Sequence, residues 1–359
     1  MFYQKNNSYK KYFRKHKRVS LTLKRDIKKD KFYHNIIWKP LLNFNPIEVL
    51  LKTFIKFLII TTIFNKYRKQ KTKSNEMIDR AYERFASREF AFMPSSNTMY
   101  FILSFVPIVM ISYLFLNVFS FIGPIHKFLL DIILPTIIPG IQAITQQIED
   151  TQKSSALGGS SLFFLCLSAI WFSSNGYGKL ISSQNIIYKH KYTGTSIGNR
   201  LKGFFVVCAI SVYLSFWTVF AFLISKSTHS ISLVNEGVSL VIEDSTKQFA
   251  IIAVLSIPFV TLGMFLMYKF TPSFKLRIQD VKIGVIIASV PCWSLLLLLG
   301  VIARFASFGQ YGPIGIFMFL SLFIGFYTYF LYLGIIMNEA YYKSFISEDT
   351  LQKRSLFKI

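Results

Sequence analysis

Six stretches of the chain are apolar on all sides for long enough to cross a bilayer, at approximately 98–122, 161–182, 203–225, 248–268, 281–303 and 313–337. A spanning helix needs roughly 20 mostly apolar residues. Leu, Ile, Val and Phe fill these runs without the polar face that water would demand, as expected where lipid and neighbouring helices are the solvent. The pattern predicts an all-α, polytopic membrane protein built as a six-transmembrane-helix bundle.

A seventh segment, Ile47 to Phe64, has a different pattern. Asn45 can cap a helix there, Pro46 suits its first position, and Glu48 falls where a capping acid sits. Glu48, Lys52 and Lys56 then recur every four residues, opposite Leu50, Leu51, Phe54, Phe57 and Leu58. This geometry fits an N-terminal interfacial amphipathic helix. A further span is the competing reading, disfavoured because both flanks are basic and crossing would place one of them outside.

Composition sharpens the picture. The 359 residues are 52% hydrophobic and 16% charged, against about 25% charged in an ordinary soluble domain. The formal charge is nevertheless +24, and residues 1–75 carry 20 Lys and Arg against Asp26, Asp30 and Glu48. Much of the basic character is therefore an arm. Four regions follow: a basic cytoplasmic arm expected to be disordered (1–45), an interfacial helix with a cytoplasmic linker (46–96), the transmembrane domain (97–340) and a cytoplasmic tail (341–359). An arm of this kind is attracted to anionic lipid, by about 1 kcal/mol per basic residue near the surface. Nucleic acid is disfavoured as its target, since no recognition pattern of aromatic residues and glycines is interleaved.

Basic loops alternate with neutral ones. Lys189, Lys191, Arg200 and Lys202 mark one loop and Lys269, Lys275 and Arg277 another, whereas loops 124–160 and 226–247 balance Lys against Asp and Glu. The bias toward basic residues at the cytoplasmic face places both termini there. The apolar part of loop 124–160, interrupted by Pro135, Pro139 and Gly140, is expected to lie on the outer leaflet or to re-enter it, with the surface reading preferred.

Candidate chemistry is sparse. No Asp, Glu or Arg occupies the middle of any of the six runs, and the three cysteines and five histidines have no metal spacing. There is no nucleophile–base set, no carboxylate pair and no phosphate loop, so neither an enzyme nor a cofactor is expected. The densest polar patch lies in the second run. Ser174, Asn175, Lys179 and Asn185 there line a polar pathway or a helix-packing seam, the latter being commoner. Tyr311 and Asn338 join them as candidates. Pro107, Pro258 and Pro291 interrupt spans and are candidate hinges. Arg304 and Glu339 are expected to anchor helix ends at the interfaces.

Several stretches together resemble the YihY/BrkB family of bacterial inner-membrane proteins, historically labelled ribonuclease BN. Tyr100 with Leu103-Ser104-Phe105-Val106-Pro107 is similar to its opening pattern. Trp171, Ser174, Gly176, Leu180, Ile181, Asn185 and Tyr188 match its second span, and Tyr268 to Pro272 followed by Gly284 its fourth-to-fifth connection. Tyr311-Gly312-Pro313-Ile314-Gly315 resembles its hairpin, and Gly334 with Asn338 its closing motif. The resemblance covers about 98–340. Two positions depart: Ile336 replaces an acid, and Asn175 replaces a basic residue.

The resemblance implies a multi-pass protein of the bacterial plasma membrane. No clustered His or carboxylates support its ribonuclease label. The expected function is translocation of a lipid-like or amphipathic molecule, and the alternative is a scaffold recruiting lipid, ribosome, nucleic acid or protein through the arm. Membrane lipids are the expected partners, and a homo-oligomer is left open.

Overall fold

A computed structural model describes residues 46–137, 159–191, 194–228, 231–234, 239–242, 245–305, 312–346 and 350. The arm 1–45 and the candidate Tyr311 lie outside the described residues. The chain forms two compact units, Met1–Met93 and Pro94–Ile359.

In the first unit, α1 (Pro46–Lys69) packs on α2 (Lys71–Phe85). Ile55 and Ile59 of α1 and Met77, Ile78, Ala81 and Tyr82 of α2 are buried. Lys52 Nζ lies 2.7 Å from Asp79 Oδ1 and 5.0 Å from the Tyr82 ring centre. Lys52 thus turns toward α2, whereas Lys56, and Phe54 and Phe57 on the other side, are exposed.

The second unit is a helical bundle. Its long helices are α3 (Arg88–Asn117, which begins before the unit boundary), α4 (Gly159–Ile187), α5 (Ser196–Ser227), α6 (Ser245–Phe270), α7 (Ile278–Phe305) and α8 (Gly312–Tyr341). Five stretches, Phe92–Asn117, Ser196–Ser227, Thr246–Phe270, Ile278–Ile302 and Ile314–Ile346, are long and apolar enough to cross a membrane. The all-α class follows. The 29-residue α4 corresponds to the second apolar run of the sequence. It is long enough to span but is not among the five, and its C-terminal half carries the polar patch.

Helices run through all the expected hinge positions. Pro107 lies inside α3, Pro258 inside α6 and Pro291 inside α7, and Pro94 is a further proline inside α3. α3 starts about ten residues earlier than the apolar pattern suggests and ends before Gly123, whose φ of +148° suits only glycine.

Two connections differ from expectation. Residues Ser120–Ile137 form successive short helical turns, and Ile125, Phe128, Leu129 and Leu130 have no exposed surface. The Phe128 ring meets Phe222 of α5 edge-on at 5.5 Å, and the carbonyl of Thr136 approaches Gly300 of α7. This part of the loop is packed into the bundle rather than laid over it, because its apolar side chains bury more area between helices than on a surface. Loop 226–247 contains a small antiparallel hairpin, Ile231–Val234 paired with Ser239–Ile242 and Ile231 opposite Ile242. Both strands are rich in the β-branched residues Ile and Val, which favour extended backbone.

Candidate functional site

The loop between α4 and α5 makes a tight return. Gly194 adopts φ +75°, a left-handed conformation, and Thr195 caps α5 by accepting a hydrogen bond from Gly198 N at 3.1 Å. The returning helix crosses α4 at very close range. A Cβ placed on Gly203 would fall on the carbonyl oxygen of Ser174 and 2.8 Å from Gly178 N, and one on Gly178 would lie 3.1 Å from the Arg200 backbone. Ser174 is fully buried in this crossing and donates to Trp171 O at 2.6 Å. Asn199 Nδ2 reaches Ser182 Oγ at 2.9 Å. Ser174 therefore sits inside the close helix crossing.

One face of α4 turns outward from that crossing. Trp171, Asn175 and Lys179 recur every four residues, so they share a side of the helix. Trp171 is 46% exposed, and Asn175 and Lys179 are half-buried. Lys179 Nζ donates to Tyr100 Oη at 2.6 Å and lies 3.9 Å from that ring's centre. Tyr100 can approach because Gly176 has no side chain; a Cβ there would stand 2.8 Å from Tyr100 Cβ. From α5, the Arg200 guanidinium lies 4.4 Å over the Trp171 ring, with Nη2 at 3.4 Å from Trp171 O.

Asn185 and Asn338 belong to other contacts. Asn185 is buried and donates to Ser273 Oγ at 3.3 Å, and Lys202 Nζ reaches the same hydroxyl at 3.3 Å. Asn338 of α8 is buried and accepts from Gly284 N of α7 at 2.7 Å. The carbonyl of Gly334 occupies the place where a Gly284 Cβ would sit, and Tyr268 Oη that of a Gly334 Cβ. The same tyrosine donates to Leu331 O at 2.9 Å. Tyr268, Gly284, Gly334 and Asn338, distant in sequence, thus form one seam between α6, α7 and α8. Asn97 of α3 adds a 2.7 Å bond to Tyr332 Oη of α8.

Sequence reasoning missed the burial of two acids near this seam. Glu339 is 1% exposed, not an interfacial anchor, and Asp280 is 4% exposed. Asp280 Oδ2 accepts from Arg277 N at 2.8 Å, closing the start of α7 as a capping acid. Burial, then the charges of Glu339 and Asp280, push the Tyr188 hydroxyl well above its ordinary range. Ile336, where the family pattern led us to expect an acid, is buried, and Glu339 follows it by less than one turn. That spacing was the available signal.

His190, between α4 and α5, is also buried. Its Nδ1 lies 2.6 Å from Thr350 Oγ1 and its ring 5.2 Å from that of Phe274. Burial first and the Lys343 charge second lower its pKa from 6.5, opposed by the contact with Thr350. A histidine held neutral on folding contributes its full stabilisation above the unfolded value, and loses it as pH falls through that value toward the folded one. Limited proteolysis around Thr350 is expected to accelerate below about pH 6.5, and the acid-induced increase is expected to vanish in His190→Gln.

Among the described residues no group of three or more His, Cys, Asp or Glu is placed to hold a metal ion. Cys208 and Cys292 are free thiols. A family model described as "Virulence factor BrkB" matches residues 81–356. No curated protein and no solved structure matches the chain.

Proposed function

Taking as premise that the chain belongs to the virulence factor BrkB family, a multi-pass integral membrane protein, we propose that it accommodates and translocates a lipid-like, amphipathic molecule. In this reading α4 is the second of six spans, both termini are cytoplasmic, and the membrane is the bacterial plasma membrane. The protein works without catalysis or a resident cofactor.

The observation that carries the reading is the outward face of α4. Asn175 and Lys179 are accessible beside the strongly exposed Phe172 of α4 and Leu103 of α3. Polar and apolar groups are therefore offered together on a surface set among bilayer-length helices. Polar side chains at such positions are costly in lipid and mark substrate paths. The basic loop residues around α4 and α5 favour the cytoplasmic end for this face.

Reconstitution tests it. Vesicles containing the protein and a head-group-labelled phospholipid are expected to expose more label to a membrane-impermeant quencher over time than protein-free vesicles. Equal exposure would overturn the proposal. The arm keeps a second reading in view, because residues 1–75 hold a net +17 and such charge recruits anionic partners. Removal of residues 1–45 abolishes recruitment but spares lipid movement if the arm is a separate scaffold.

A further inference from the structure

The face formed by Tyr100, Trp171, Asn175, Lys179 and Arg200 holds two cations whose partners are aromatic rings rather than acids. The described contacts of Lys179 are to Tyr100 and those of Arg200 to Trp171, and neither cation meets a carboxylate among the described residues. Two further groups lack partners. Asn175 makes no hydrogen bond to the described protein, and Arg200 Nε is buried without one. A buried guanidinium N–H left unmatched carries a desolvation cost of the order of 1–3 kcal/mol.

Interfacial anchoring does not account for this arrangement. An anchoring arginine sends its charged head along the helix toward water. Arg200 instead stands beside Gly178 and reaches back along α4 to Trp171, seven residues toward the helix N-terminus and close to its middle. Its backbone is fixed by the Gly178–Gly203 crossing and its planar head lies over the indole, so the donors are oriented before any ligand arrives. A planar guanidinium with fixed donors suits bidentate binding of phosphate oxygens, whereas an ammonium acts as a point charge.

We infer that this face binds the phosphate-bearing head group of a membrane lipid. Arg200 takes the phosphate, Asn175 supplies or accepts a hydrogen bond from the adjoining polar part, and Lys179 adds the second positive charge. Trp171 and Lys179 are eight residues apart, about 12 Å along a helix, so the site suits a phosphate carried on a lipid, with its glycerol ester groups alongside, better than a free compact ion. The acyl chains run beside Phe172, Leu201 and Phe205, all exposed. The inference rests on the lipid reading above and names the chemistry of its site.

Native mass spectrometry of the purified full chain tests it. The protein is loaded with phosphatidic acid or with diacylglycerol of the same acyl chains, and inorganic phosphate is offered as a soluble competitor. Phosphatidic acid is expected to be retained, diacylglycerol to be lost, and inorganic phosphate to displace little. Arg200→Gln is expected to weaken retention roughly tenfold, Arg200→Lys less, and Asn175→Ala and Lys179→Gln severalfold each, while the exposed Lys275→Gln leaves it unchanged. Each variant is checked for an unaltered melting profile, and Asn175→Ala, which removes no protein contact, stands in if an arginine variant fails to fold.

Equal retention of diacylglycerol, or undiminished retention in the Arg200 and Asn175 variants, overturns the site. A wild-type chain that retains phosphatidic acid in this way yet moves no labelled lipid keeps the site and sinks only the translocation reading. Lipid movement that persists in Arg200→Gln and Asn175→Ala with full retention does the opposite.

Discussion

Gly284→Ala is expected to destabilise the bundle by at least about 3 kcal/mol, more than any substitution on the outward face of α4. The new Cβ would land on the Gly334 carbonyl and on the Asn338 amide. Neither is the flexible end of a long side chain. One is backbone, and the other is held by its bond from Gly284 N. Relief requires moving α7 away from α8, which would also disturb the Tyr268 hydroxyl between Gly334 and Leu331. Cys292, buried on the same helix, reports the event. In a chain carrying Cys166→Ser and Cys208→Ser, labelling of Cys292 by a thiol-reactive dye should begin at a markedly lower temperature in Gly284→Ala. Adding Asn338→Ala should recover part of the loss, by removing one of the two clashes, but not all of it. An unchanged labelling profile would mean that the α7–α8 contact is looser than described.

How the sequence reads against the fold follows from what each signal measures. Apolar run length predicts helices because it measures how much backbone must satisfy its hydrogen bonds away from water; the corresponding long helices are present, with ends displaced where turn chemistry decides. Gly123 and Thr195 set such ends, and an apolar average does not see them. Side-chain depth is harder. Ser174 and Asn175 are adjacent and both polar, yet one is sealed under α5 and the other opens outward. The difference lies in the position of Gly203, more than two dozen residues further along the chain. Glu339 reads as an anchor from its place near a helix end, and only the approach of Tyr188 and α7 reveals its burial. Arg200 counts toward a basic loop in the sequence, although its head leaves that loop to cover Trp171. The family-like residues Tyr268, Gly284, Gly334 and Asn338 were legible as a set, but their common seam appears only when α6, α7 and α8 are brought together.

A graded series along the α4–α5 crossing discriminates a packing seam from a polar path more directly than any single change. Gly203→Ala places a Cβ on the Ser174 carbonyl and close to Gly178 N, backbone against backbone, with no side chain to give way. Its expected cost is about 3 kcal/mol or above, beyond the usual range for overpacking. Gly178→Ala meets the Arg200 backbone at 3.1 Å, a contact that a few tenths of an ångström relieve, so about 1–2 kcal/mol is expected. Ser174→Ala removes a hydroxyl that bonds within its own helix, and should cost less than about 1 kcal/mol. The same dye-labelling profiles, read for Cys292, should rank Gly203→Ala far below Gly178→Ala and Ser174→Ala nearest the parent. A polar path running through this crossing predicts a different order, with Ser174→Ala losing lipid movement at unchanged stability. Close packing of α4 on α5 predicts instead that Gly203→Ala also abolishes the retention of phosphatidic acid, because Arg200 rides on the same crossing and its guanidinium loses Trp171 when the helices part.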